Sequence, residues 1–248
     1  MSSPLPVAAS LRRYARYTVA PRPREVVLLR GLPCVWSRCT FCDYIADNTA
    51  DTGEIRRVAD AELARVTGEF GRLQVINSGS IQELPADVRA DIRRLIAKRA
   101  IREFYTESYW AYRRDFDAMR RYFAVEHADG PPTRVHLFLG VETFDDRLRN
   151  GVLNKAMRWD SVDEVAAATD SINLLVGFRG QTRDSVRRDI DLLLEKFHFG
   201  IVNLFTSNSR SAQLMDDEIR QWFCEEFAWL RDHPRVDLLR HSSDFGVG

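Results

Sequence analysis

The sequence predicts an α/β fold: a partial (β/α)6 TIM-like barrel, with a parallel sheet inside and helices outside. Three observations predict it. Six short apolar runs recur along the 248 residues, separated by stretches with helical spacing. The runs are apolar throughout rather than alternating, as strands covered on both faces are. Six units fall short of the eight that close a full barrel. Periodicity alone also leaves a flat, doubly wound sheet open. In both arrangements ligands gather at the carboxyl ends of the strands.

The elements follow in order. Residues 1–24 read as an N-terminal arm, either a solvated leader or one amphipathic turn. Its Arg12, Arg13, Arg16, Arg22 and Arg24 precede the first acid, Glu25, and admit a contact with a polyanion such as RNA. Residues 25–248 read as one domain. "EVVLLRG" (25–31) is a buried strand, and "DAELARVTGEFGRL" (60–73) has helical spacing. "LQVINS" (73–78) is a strand, followed by a helix over 85–100 that starts at Pro85. Residues 101–108 form a strand and 109–123 a helix. Residues 134–142 form a strand, and 160–169 a helix with an Asp cap. Residues 172–178 form a strand, and 182–197 a helix opened by Thr182. A sixth strand (200–206) and a long helix (213–232) end the pattern.

Composition narrows the function classes. Lys plus Arg and Asp plus Glu both total 36, so net charge gives no pull toward nucleic acid or anionic membrane. No run reaches the roughly 18 apolar residues of a membrane span. No N-terminal apolar segment suits a signal peptide, so a cytoplasmic protein is expected.

Three of the four cysteines fall in nine positions, Cys34, Cys39 and Cys42, in the loop after the first strand. Zinc in a structural site wants four ligands; Asp43 is a candidate fourth, which leaves a non-catalytic, zinc-stabilised α/β binding module as an alternative. A redox pair of Cys39 and Cys42 leaves the third cysteine unexplained. A [4Fe–4S] cluster on three thiolates uses all three and keeps one iron open. Cys224, among helical apolar neighbours, reads as a core residue.

An apolar strand, a cysteine loop ending "CTFCDY" and a run of β/α units resemble the radical S-adenosyl-L-methionine (SAM) superfamily. The usual C-x3-C-x2-C spacing is C-x4-C-x2-C here. "INSGSIQEL" (76–84), "FYTESYW" (104–110), "LGVETFDDRLRNGVLNKAM" (139–157) and "NLLVGFRGQTRDSV" (173–186) are similar to one branch. That branch holds the Elongator catalytic subunit and the radical SAM protein of archaeosine synthesis. The chain departs from it at Ala156, Arg179 and Gln181, where Gly, Pro and Glu are usual.

The resemblance implies the roles. Cys34, Cys39 and Cys42 would hold a [4Fe–4S] cluster, and the open iron would bind SAM. Reductive cleavage of SAM would give a 5′-deoxyadenosyl radical that abstracts hydrogen from an organic substrate. That substrate is expected to be a nucleoside, a modified tRNA base or a 7-deazapurine-like compound, and a flavodoxin- or ferredoxin-type protein would donate the electron. Phe41 and Tyr44 are candidates against the adenine. Ser78, Gly79 and Ser80 occupy the segment that holds the SAM amino group. Glu107 and Glu142 end strands, where a carboxylate can accept from ribose hydroxyls or the SAM ammonium, or pair with an arginine. Asn203 is polar within an apolar strand and needs a partner, the adenine edge or backbone. Asn154, Lys155, Arg179 and Gln181, in loops over the same face, are substrate candidates; Lys155 also suits the SAM carboxylate.

Overall fold

A computed structural model describes residues 12–18, 22–206, 208 and 211–240. Among these, eight strands form one curled sheet in chain order: β1 (Tyr14–Tyr17), β2 (Arg24–Leu29), β3 (Arg72–Asn77), β4 (Glu103–Ser108), β5 (Arg134–Glu142), β6 (Ser171–Val176), β7 (Phe199–Leu204) and β8 (Val236–Leu239). The six expected strands are β2 to β7, and all their pairings are parallel. The sheet is a partial barrel rather than a flat layer.

Two strands were not foreseen. β8 adds a parallel strand beside β7, and β1 pairs antiparallel with β2. β1 lies within the predicted arm, where Ala15 packs with Val26, Leu28 and Ile76. The arm's arginines contact other parts of the chain, Arg12 and Arg16 at the surface. Arg13 grips Asp47, Arg24 pairs with Asp237 at 2.6 Å, Arg16 meets Glu69, and the Arg22 guanidinium stacks 3.8 Å from the centre of the Phe199 ring. Arg12 donates to the Tyr14 carbonyl.

Helix boundaries moved where local capping outweighed periodicity. The first helix, α1 (Thr52–Leu63), starts earlier than expected because Asp51 accepts from the Glu54 amide. Its expected second half is a turn, since Gly68 and Gly71 take left-handed φ of 81° and 60°. α2 (Ala86–Lys98) follows Pro85 as read. The next helix begins as a 3-10 segment (Trp110–Asp115) before α3 (Phe116–Phe123). α4 (Val162–Ala168) is capped by Ser161, not Asp160. Thr182 caps α5 (Arg183–Lys196), its hydroxyl accepting from the Ser185 amide. The long final helix is divided: α6 (Asp217–Glu226) is followed by a 3-10 segment, Ala228–Asp232.

The two faces of the sheet differ. Outward residues such as Val27, Val75, Phe104, Leu139, Leu174 and Val202 pack with residues of the helices in the main core. The inner face mixes apolar groups with Gln74, Tyr105, His136, Asn173 and Asn203, and these polar side chains line the barrel interior. At the amino end of the strands, Tyr105, His136 and His198 stack in series, ring centres 4.7 and 6.4 Å apart. No helix among the described residues is long and apolar enough to cross a membrane.

Candidate active site

At the carboxyl ends of β2 to β7 the sheet opens into a cavity enclosing about 810 Å³, part of it open to solvent. Cys34, Cys39 and Cys42 line it together with Phe41, Tyr44, residues 77–80, Glu107, Glu142, Lys155 and Asn203. Residues scattered across the ends of six strands thus converge on one place, as the strand-end rule demands.

The cysteine loop has little regular structure of its own and is fixed by its neighbours. Thr40 bonds the Val152 and Leu153 carbonyls, and Trp36 Nε1 donates to the Asn154 carbonyl. Asn154 Nδ2 returns a bond to the Arg38 carbonyl at 2.8 Å. On the other side, Asn48 accepts from the Cys34 amide at 3.1 Å and donates to the Ser78 carbonyl. Glu83, buried, accepts from the amides of Val35 and Ser80 at 2.6 Å each and from the Tyr112 hydroxyl at 3.1 Å. Glu83 thus ties the cysteine loop to the loop after β3. Gly79 has to be glycine there, because a Cβ would strike the Glu83 carboxylate.

A second device stands at the end of β5. The register slips between Gly140 and Glu142, and Glu142 takes a left-handed φ of 63°. This bulge turns the carboxylate into the cavity. Lys155, also buried, donates to it at 2.7 Å. The loop that returns Lys155 begins with a π-helical turn, Arg147–Val152. It is stapled by Arg149, which donates to the Thr143 and Met157 carbonyls at 3.0 Å each and lies 3.6 Å from the centre of the Trp159 ring. Asn154 and Ala156, either side of Lys155, both have positive φ. Burial works against the Lys155 ammonium, but Glu142 and Cys39 hold its pKa above the ordinary lysine value.

The floor is polar. Glu107 accepts from Asn173 Nδ2 at 3.1 Å, and Asn203 donates to the Leu174 carbonyl at 3.5 Å. Burial pushes the Glu107 carboxyl up to about 7; the Asn173 bond opposes the rise, Glu142 adds to it and Lys155 opposes it. Asn77 Oδ1 and Asn173 Oδ1 are buried without a hydrogen-bond partner. Each of these oxygens calls for a donor, from water or from a bound molecule.

The structure brings together all the candidates for cluster and cofactor, and one of the four substrate candidates, Lys155. Ser78 and Ser80 line the cavity, but their hydroxyls serve the loop: Ser78 accepts from the Gly31 amide at 3.0 Å, and Ser80 joins a capping box with Glu83. Phe41 lines the cavity with one face and packs among Leu153, Leu175, Phe178 and Phe205 with the rest. Burial holds the Tyr44 phenol well above its ordinary pKa. Asn154 braces the cysteine loop. Gln181 is buried and spans the turn after β6, accepting from the Gly177 and Phe178 amides and donating to the Leu175 carbonyl. Arg179 is exposed beside it. Neither lines the cavity. Sequence reading passed over Asn48, Asn77, Glu83, Tyr109, Arg149 and Asn173. Only Glu83 carried a local signal, the S-x-x-E spacing of a capping box.

The whole chain has a counterpart of known structure. It is similar to a queuine lyase from Clostridium spiroforme, solved bound to SAM and queuine, at 38% identity over 96% of this chain and 100% of that one, with a TM-score of 0.88. The chain belongs to the radical SAM enzymes. Streptococcus suis SuiB, at 10% identity, shares the fold alone; 86% of this radical SAM enzyme matches 48% of that chain with a TM-score of 0.51. No family model matches the chain, and no curated protein matches it.

Radical SAM enzymes carry a [4Fe–4S] cluster and SAM, and the residues present fit both. Cys34, Cys39 and Cys42 line one cavity together, the thiol set that would hold such a cluster. Burial raises the pKa of Cys39 and pushes Cys42 up to about 12, so these thiols need a neighbouring cation to ionise. The opposed charges of Glu142 and Lys155, the side-chain-free approach at Gly79 and the orphaned Asn77 oxygen suit a ligand with an ammonium, a carboxylate and hydroxyls. The zinc-stabilised, non-catalytic module is set aside by the enzyme relationship.

Proposed function

We propose that this radical SAM enzyme is a lyase acting on a 7-deazapurine base of the queuine kind. The observation that carries the reading is end-to-end similarity to the queuine lyase, with 38% identity. The polar groups Glu107, Asn173 and Asn203, which line both the mouth and the narrow space beneath it, support it by offering hydrogen-bond partners to a substrate. When bound, the cluster and SAM supply one-electron chemistry that removes a hydrogen atom from an unactivated carbon.

The chain's own residues set the stage for that chemistry. Cys34, Cys39 and Cys42 hold the cluster, in a loop that Asn48, Glu83 and Asn154 prevent from shifting. Lys155 receives a carboxylate and Glu142 the ribose hydroxyls, the two side chains bonded to each other at 2.7 Å in a buried place. Backbone around Gly79 accepts from an ammonium. Phe41 and Tyr44 wall the cofactor side and exclude water, which protects a reactive carbon centre from side reactions.

Sequence likeness in the stretches around Glu107, Glu142 and Lys155 supports a place near the branch of the Elongator catalytic subunit. Engagement of the arm's arginines with other parts of the chain favours a free base over RNA as substrate. A flavodoxin- or ferredoxin-type donor and a cytoplasmic site of action complete the proposal, with residues 25–248 as the catalytic domain. The test is an anaerobic assay of reconstituted enzyme with SAM, dithionite and queuine. Production of 5′-deoxyadenosine matched by loss of queuine is the expected result. If 5′-deoxyadenosine forms while queuine, its nucleoside and related 7-deazapurines all survive, the substrate assignment fails.

A further inference from the structure

We propose that Glu107 and Asn173 read the ring edge of the substrate, accepting the adjacent ring N–H and exocyclic amine of an aminopyrimidinone heterocycle. This rests on the 7-deazapurine reading above and deepens it. The two residues face each other from β4 and β6 and lie where the mouth passes into the deeper cavity. Their polarity is one-sided. In its ionised form Glu107 offers two carboxylate oxygens, and one of them already takes Asn173 Nδ2 at 3.1 Å. Asn173, 8% exposed, then presents Oδ1, which is buried and has no donor. An acceptor-rich corner of this kind is complementary to neighbouring donors on a ligand.

The cations at hand are committed elsewhere. Lys155 is held by Glu142, and Arg24, in the wall of the deeper cavity, bonds Gln74 at 2.8 Å and forms an ion pair with Asp237 at 2.6 Å. The rest of that wall combines apolar Val26, Ile76, Ile201 and Leu239 with Tyr17 and Asn203. A planar ring entering through the mouth would turn its polar edge to Glu107 and Asn173, with the side chains of that wall beyond it. The edge of a guanine-type base carries an N–H and an NH2 side by side, which a carboxylate can accept together. An adenine edge sets an acceptor beside its amine and so matches poorly, which separates substrate from cofactor.

The experiment measures binding to anaerobically reconstituted, SAM-loaded enzyme by calorimetry, with queuine and with its analogue lacking the 2-amino group. Wild type is expected to prefer queuine on the order of 30-fold or more, and Glu107→Gln to bring the ratio to within about threefold. Iron content and circular dichroism confirm that the variant is folded and loaded. If wild type binds both bases equally, or Glu107→Gln keeps the full preference, the proposal is overturned while the substrate class stands. Should Glu107→Gln weaken SAM binding as much as queuine binding, Glu107 is a cofactor contact and the proposal is again overturned. A wild type that binds no 7-deazapurine overturns the substrate reading, and this proposal with it.

Discussion

Lys155 and Glu142 show how far a single residue's role depends on its partner. Each is buried, so each alone would be an uncompensated charge; at 2.7 Å they stabilise one another. Removing one is therefore worse than removing both. Lys155→Met is expected to lower stability by about 3–5 kcal/mol, whereas Lys155→Met with Glu142→Gln should recover much of that loss. Urea denaturation of the two variants measures this, and equal losses would show that the pair is not coupled. Cys224 packs at the edge of the main core rather than in the cavity, which is why one cysteine stands apart from the other three.

At the scale of elements, the loop after β5 depends on the helix that follows the next strand. Asp189, on α5, accepts from the Phe144 amide at 2.9 Å and bonds Thr143, at the point where the chain leaves the bulge. Burial pushes its carboxyl up to about 6, with the Thr143 and Phe144 bonds opposing. A carboxyl whose pKa is raised on folding binds more protons in the folded state between the two values. Stability contributed by Asp189 therefore falls as pH rises from about 4 to 6 and is level above that. Relative to wild type, Asp189→Asn should gain stability as pH rises through that window, by about 3 kcal/mol at most. Denaturation curves at pH 5, 6 and 7 would show it, and a pH-independent difference would contradict it.

Across the whole molecule, β1 protects the sheet's first edge. Deleting residues 1–18 removes the Arg13–Asp47 pair, the Tyr14–Glu25 bond and the cover over β2. An unpaired parallel strand with an apolar face invites association. The truncated chain is expected to lose more than about 2 kcal/mol of stability and to form oligomers, as light scattering would detect; a monomer of unchanged stability would show that β1 is dispensable.

Much of this was legible in the chain itself. Buried parallel strands announce themselves as unbroken apolar runs, so β2 to β7 could be read directly. A sulfur cluster on three close cysteines is a local pattern, and the strand-end rule then placed Glu107, Glu142 and Lys155 on its side of the sheet. β1 and β8 could not be read, because four residues of mixed polarity become a strand only when an edge is waiting for them. Helix ends shifted for a similar reason: side-chain caps at Asp51 and Ser161 and glycines at 68 and 71 decide boundaries that periodicity leaves open.

What the sequence by itself made legible was the resemblance to a class of chemistry and the face of the sheet where it happens, since these follow from short motifs and strand order, while the choice between iron–sulfur and zinc stayed open. Which side chains support the cysteine loop, which polar groups face the cavity and which candidates serve only a turn were decided by the tertiary structure. Glu83 meets Val35 across 48 positions and Asn173 meets Glu107 across 66. Contacts of that span arise when the sheet curls, and no local pattern records them.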